Sequence, residues 1–261
     1  MSSNPYEAST TLRQQPLPYR SIEVTPIEYM QRSYRMIKEQ YLLFLGIVFC
    51  ALLIGAVGPF GILLGPMITG VYLCFLQCES GNPVKFDTLF RGFERFIPSM
   101  LVTLIVLLCN VLISLIFITV VGAATLLILA YHFDTSQEPP PVALLAALFS
   151  LAYVFLLLST VIIFIPFTFC FQLIAEHDMP AGPAMQTSFR AAWHNLLPLT
   201  LVYICLSFFG IVAALFCYLP LFFLAPIQIG VTFILYRDTF PKAGERVTDF
   251  SGMPNALTLP T

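Results

Sequence analysis

Residues 66–98 read PMITGVYLCFLQCESGNPVKFDTLFRGFERFIP, and residues 166–198 read PFTFCFQLIAEHDMPAGPAMQTSFRAAWHNLLP. Pro66, Pro83 and Pro98 return as Pro166, Pro183 and Pro198, each 100 residues on and without a gap. Both stretches follow one order: the end of an apolar helix, a short polar break, an amphipathic segment, then a new apolar helix. A third, partial copy, PIQIGVTFILYR, starts at Pro226 and repeats the Pro-x-x-x-Gly spacing of Pro66 and Gly70 as Pro226 and Gly230. The pattern predicts an all-α integral membrane protein. It would have six transmembrane helices in two parallel internal repeats, about 60–133 and 142–218, with cytosolic interfacial amphipathic helices.

Composition bounds the rest. Hydrophobic residues are 58% of 261, charged residues 10%, and the mean hydropathy is +0.88. A soluble domain carries about 25% charged residues, so most of this chain needs a solvent other than water. No basic domain is present and the aromatics lie in apolar runs, which excludes a nucleic-acid partner. The seven cysteines are an odd number without a CxxC pair, in or beside apolar segments, and read as small hydrophobes. No metal or cofactor is expected.

Residues 1–24 and 238–261 are polar, with proline and without apolar periodicity, and read as disordered tails. Over 25–40, Thr25, Pro26 and Glu28 form a helix-start signal. Ile27, Met30, Tyr34, Ile37 and Tyr41 follow at helical spacing, with Arg32, Arg35 and Lys38 off that stripe. That is the pattern of a helix lying in the membrane interface, or of a cytosolic extension of the first span. The membrane domain, 41–237, then divides into spans at about 41–57, 60–78, 97–133, 142–176, 197–218 and 221–237. Turns fall at Gly58-Pro59-Phe60-Gly61, Asp134–Pro141 and Tyr218-Leu219-Pro220. The first apolar run begins only at Tyr41, so it should act as an uncleaved insertion signal.

Two cytosolic segments follow the first two prolines. Asn82-Pro83 should cap and start the first, with Phe86, Leu89, Phe90, Phe93 and Ile97 on its apolar face and Asp87, Arg91, Glu94 and Arg95 opposite. Gly182-Pro183 starts the second, with Met185, Phe189, Ala192, Trp193 and Leu196 apolar and Arg190 among the polar residues.

Chemistry is sparse. Glu176-His177-Asp178 is the one cluster of ligand-type side chains, but neighbours on a helix diverge by about 100°, and it reads as a solvated helix end. No Asp, Glu, Lys, Arg or His lies within 41–78, 97–131, 142–175 or 197–236, which argues against proton coupling. The sharpest candidates are Pro66, Pro166 and Pro226, each about 16 Å from the cytosolic end of its helix at about 1.5 Å per residue. A proline within a helix releases the carbonyl four residues earlier, here Ile62, Ile162 and Phe222, and each has a polar neighbour in Thr69, Thr168 or Gln228. These are helix kinks, or a mid-membrane ligand region.

The order of a proline-bearing helix, segments such as TLFRGFERF and TSFRAAWHN, and a closing P-x-x-x-G…YRD helix resembles bacterial multi-pass families known only as domains of unknown function. It is also similar, over about residues 40–240, to the membrane portion attached to some glycerophosphodiester phosphodiesterases. The catalytic domain of those enzymes has no counterpart here, so the resemblance implies architecture and no activity. The expected function is a non-enzymatic interaction, assembly or lipid-organising module of the bacterial inner membrane. Its partners would be the bilayer and other membrane proteins or lipids. The alternative is a transporter or channel for a small neutral or lipidic solute.

All twelve Lys and Arg fall in the N-terminal arm, 79–96, 177–196 and the stretch from Arg237. Basic loops stay cytoplasmic, and six spans place every one of them on that side with both termini. Reporter fusions should therefore be periplasm-active after residues 58 and 137 and inactive after 82, 180 and 250. Activity after 180 would overturn both the span count and the repeat.

Overall fold

The computed structural model describes residues 17–22, 25–58, 61–135, 142–216, 219–242 and 256–257. The described residues are mostly helical. α1 spans Pro26–Ile37, and a 3-10 turn at Lys38–Gln40 joins it to α2, Tyr41–Val57. α3 is Leu64–Glu79, followed by a 3-10 segment at Phe86–Arg95 and by α4, Phe96–Thr135. α5 is Val142–Phe164, and a 3-10 turn at Ile165–Phe167 leads to α6, Cys170–His177. α7 is Ala181–His194, α8 Leu196–Leu215 and α9 Leu219–Thr239.

Four stretches among the described residues are long and apolar enough to cross a membrane: Pro26–Val57, Phe86–Tyr131, Leu196–Leu215 and Leu219–Thr239. Leu145–Leu156 and Ile162–His177 are apolar but shorter. The apolar side chains of the long helices face outward in number; Leu42, Leu53, Leu112, Ile116, Leu127, Phe208 and Leu215 are all exposed. Burying such surface in water-excluding surroundings is worth about 25 cal/mol per Å², so the long apolar helices are those of a chain compatible with a membrane. α4 runs unbroken for 40 residues through Gly122, whose missing side chain meets nothing within 4 Å.

The centre is packed around α3. Phe75 stacks between Phe44 of α2, at 4.7 Å, and Phe233 of α9, at 5.5 Å between ring centroids. Glycines set the closest approaches. A Cβ at Gly65 would collide with Ser99 and Thr103 of α4, and one at Gly70 with the Leu89 carbonyl of the 3-10 segment. One at Gly92 would strike the Pro66 carbonyl, and one at Gly230 would strike the Ser33 hydroxyl of α1. The Pro-x-x-x-Gly spacing thus opens a notch on α3 and another on α9, and a different segment fills each.

Several expectations change. The expected stripe of α1 is split: Ile37 is buried with Tyr29 and Ser33 and Met30 packs against the core, whereas Ile27 and Tyr34 are exposed, and the helix packs along α9. Ser33 donates to the Ile227 carbonyl at 2.8 Å, and Arg32 grips Asp238 with two hydrogen bonds of 2.7 and 3.0 Å. α9 thus offers α1 an acceptor for a hydroxyl and a partner for a guanidinium beside its apolar contacts. Pro26 does start the helix, but Thr25 makes no side-chain cap. Asn82-Pro83 caps nothing either: residues 82–85 are not helical, and the Pro83 carbonyl instead accepts from Gln77 at 2.9 Å.

The tails depart from disorder at their inner ends. Leu17 and Tyr19 pack against the core, and the buried Ile22 donates its amide to Asn195 Oδ1 at 2.8 Å. Tyr19–Arg20 pairs antiparallel with Ala256–Leu257, and α9 continues to Thr239 with Phe240 buried beyond it. A few apolar residues suffice to dock a segment too short to show periodicity. The expected turn residues 59, 60, 136–141 and 218 lie outside the described residues, as does most of each tail.

Replacing Gly92 or Gly70 by alanine should destabilise the fold by about 1–3 kcal/mol or more, because backbone rather than a flexible side chain occupies the space. Gly122→Ala should be neutral or stabilising, since helix propensity favours alanine by about 1 kcal/mol. Thermal unfolding of the three variants in detergent checks the order, and equal melting at all three would contradict the close packing.

Candidate functional site

The three prolines occupy three different settings. Pro66 is the third residue of α3, in the first turn, where its missing N–H costs no hydrogen bond. Pro166 sits in the 3-10 turn that separates α5 from α6, a true break. Pro226 lies inside α9, which continues through it. They are therefore not three equivalent breaks. Their polar neighbours diverge as well. Thr69 bonds to the Gly65 carbonyl and to Ser99 of α4, at 3.0 and 2.8 Å. Thr168 faces Tyr203 of α8 at 3.0 Å, and Gln228 donates to the Leu206 carbonyl at 3.3 Å. Thr69 belongs to a closed contact, while the latter two lie along α8.

The amphipathic segments are docked more firmly than their sequences suggest. The first is wound as a 3-10 helix, with three residues per turn. At that period Leu89, Gly92 and Arg95 fall on one side, and Leu89 and Gly92 are buried against α3. Phe90 and Phe93 form an outward row continued by Phe96, with Phe93 and Phe96 stacked at 6.2 Å and Phe86 against Phe90 at 6.0 Å. Arg91 and Glu94 pair on the third side at 3.3 Å. The expected apolar face is thus split: Leu89 turns inward, and Phe86, Phe90 and Phe93 stay exposed.

The second segment, α7, turns Ala184, Ser188 and Ala191 inward. Ser188 donates to the Pro166 carbonyl at 2.7 Å and accepts from the Phe169 amide at 3.2 Å, bridging the broken α5–α6 junction. Ala192 is buried, while Phe189 (49% exposed) and Trp193 (66%) stack at 5.9 Å on the outside beside exposed Arg190.

A charged junction closes the end where α3, α6 and α9 terminate. Arg237, its side chain 14% exposed, reaches Glu79 at 2.6 Å and Glu176 at 3.0 Å. The Tyr236 hydroxyl donates to the second Glu176 oxygen at 2.7 Å, and Lys242 meets Glu79 at 3.1 Å. The Arg237 guanidinium also lies 5.6 Å from the Phe233 and Tyr236 rings. Glu176-His177-Asp178 is therefore only in part a solvated end, since the Asp178 side chain is 74% exposed. Glu176 is 8% exposed at the junction, and Asp178 turns away to Arg95 at 2.7 Å through a left-handed residue, φ 54°. The three side chains do not converge, and no group able to hold a metal ion occurs among the described residues. Sequence reasoning missed Arg237 and Glu79 as partners. The available signal was position: Glu79, Glu176 and Arg237 each close an apolar run 10 to 13 residues beyond Pro66, Pro166 or Pro226.

No protein-family model, curated protein or solved structure matches the chain.

Removing one partner of a buried ion pair strands the other charge and costs about 3–5 kcal/mol. Arg237→Met should lower thermal stability by that order, and Arg237→Lys by less, because the charge is kept although the ammonium lacks the planar guanidinium fork. Detergent-phase melting tests this; an unmoved Arg237→Met midpoint would mean the junction is solvated.

Proposed function

We propose that the chain is a six-span bacterial inner-membrane protein with cytoplasmic termini, acting without enzymatic chemistry as an interaction, assembly or lipid-organising module. The observation that carries this reading is the pair of exposed aromatic rows, Phe86/Phe90/Phe93 and Phe189/Trp193, on segments whose other faces are clamped to the protein. Aromatic side chains beside arginine suit the boundary between headgroups and acyl chains. A row presented by a rigid segment organises what lies against it, lipid or a neighbouring membrane protein, at little cost in side-chain ordering. The packing around α3 at Gly65, Gly70 and Gly92, each within backbone distance of a neighbouring segment, supports a packed centre on that side of α3.

The repeat is part of the same proposal, and contacts between matched positions support it. Tyr72 and Thr232 each stand six residues after their proline, and their hydroxyls meet at 2.8 Å. Glu176 and Tyr236 each stand ten after theirs and meet at 2.7 Å. Each amphipathic segment also folds back onto the carbonyl of its own proline, Gly92 onto Pro66 and Ser188 onto Pro166. The resemblance to the membrane portion of glycerophosphodiester phosphodiesterases enters as architecture alone.

The chain has one tryptophan, Trp193, so fluorescence reports on the second row directly. In proteoliposomes, lipids brominated near the headgroup should quench it more than lipids brominated near the chain end. Exchanging Phe189 for Asp should weaken that quenching. A Trp193 that no brominated lipid quenches, but aqueous iodide does, would overturn the interfacial reading.

A further inference from the structure

We propose that the cleft between α3, α8 and α9 is a binding site for an uncharged amphiphile bearing a free hydroxyl, of the acylglycerol type. The cleft is open on one side and measures about 350 Å³, with a polar wall formed by Tyr72, Tyr203, Ser207, Gln228 and Thr232. At about 30 Å³ per water-sized group it holds on the order of a dozen non-hydrogen atoms. Its remaining wall is Leu206, Leu221, Ile229 and Gly210. No charged side chain lines it, so nothing there offsets the desolvation of a phosphate, carboxylate or amine.

The hydrogen bonds left open specify the ligand further. Tyr72 and Thr232 bond to each other at 2.8 Å, and Tyr203 bonds to Thr168 at 3.0 Å. The Gln228 amide nitrogen makes one long bond of 3.3 Å, while its carbonyl oxygen has no hydrogen bond among the described residues, and neither has the Ser207 hydroxyl. One acceptor and one hydroxyl thus face the same cavity. A ligand hydroxyl satisfies both, donating to Gln228 Oε1 and accepting from Ser207; an ester carbonyl satisfies only the second. Unmet polar groups in apolar surroundings are costly, so the free hydroxyl is the discriminating feature.

The rest of the ligand is apolar. The flanking faces of α8 and α9 carry exposed Phe208, Leu215, Leu219 and Phe222, so the approach is over apolar surface. Gly210 keeps the space open: a Cβ there would stand 3.6 Å from the Gln228 amide nitrogen and 4.0 Å from Leu221. Alanine fits, whereas a longer side chain projects into the cavity.

The inference needs the chain to be embedded in a membrane but not the interfacial aromatic rows, so failure of one leaves the other standing. The test is thermal unfolding of the detergent-purified full chain against 1,2-dioctanoylglycerol, its hydroxyl-acetylated analogue, dioctanoyl phosphatidic acid, and glycerol. Dioctanoylglycerol should stabilise the protein saturably. The acetylated analogue should bind about tenfold more weakly, as expected for a lost hydrogen bond plus stranded partners. Gly210→Leu should abolish the shift by filling the cavity, and Gln228→Leu should abolish its preference for the free hydroxyl. If Gly210→Leu does not fold, Ser207→Ala with Gln228→Leu carries the test. An equal response to glycerol or to phosphatidic acid would overturn the proposal, as would variants that melt like the wild type and still respond to dioctanoylglycerol.

Discussion

One guanidinium holds three helices together at a single end. Arg237 of α9 stands between Glu79 of α3 and Glu176 of α6, in surroundings that admit little water. A charge there is tolerated only when paired and hydrogen-bonded, so each carboxylate fixes where its helix ends relative to the others. Two carboxylates against one arginine would leave excess negative charge; Lys242 on Glu79 balances it. Arg32 and Asp238 extend the same arrangement to α1. The value of such a junction lies in register more than in net stability. Apolar helices in an apolar medium can slide and rotate at little cost, and a forked ion pair removes that freedom.

With that end fixed, the small residues become intelligible. Gly65, Gly70 and Gly92 allow α3 to be surrounded at backbone distance by α4 and the 3-10 segment. Small residues at helix contacts are the usual means of packing in membranes, where no hydrophobic force draws helices together. In the second half Ser188 performs the equivalent task with a hydrogen bond. One half is thus closed by shape and the other by a hydroxyl, although both follow the same sequence order.

The long helices and the interruption at Pro166 were legible because apolar run length and proline are strong, local signals. α4, read over 97–133, spans Phe96–Thr135, and the break after Phe164 falls where the proline placed it. The faces of the short segments were not legible. Leu89 was grouped with Phe90 and Phe93 by assuming 3.6 residues per turn, and a 3-10 segment sends it to a different side, about 120° away. The packing of α1 was missed because its partners, Gly230 and Asp238, lie some 200 residues away in sequence. Glu176 looked solvated for the same reason, since only the fold brings Arg237 to it. Signals within one helical turn survive in the sequence, and pairings between distant segments do not.

The length of α4 has a mechanical consequence. Its 40 residues extend about 60 Å, roughly twice a hydrocarbon core of about 30 Å, while its neighbour α5 has 23 residues and about 35 Å. An average tilt of about 20° absorbs only a small part of that excess. In a membrane the surplus apolar length would extend beyond the bilayer or be met by steeper tilt or local thickening, at a cost that grows with each ångström of hydrophobic mismatch. In a membrane, bilayer thickness would thereby enter the conformational energy of this protein as a variable. A thinner membrane would load packed α4 and α5 like a bent lever, and a thicker one would let them stand.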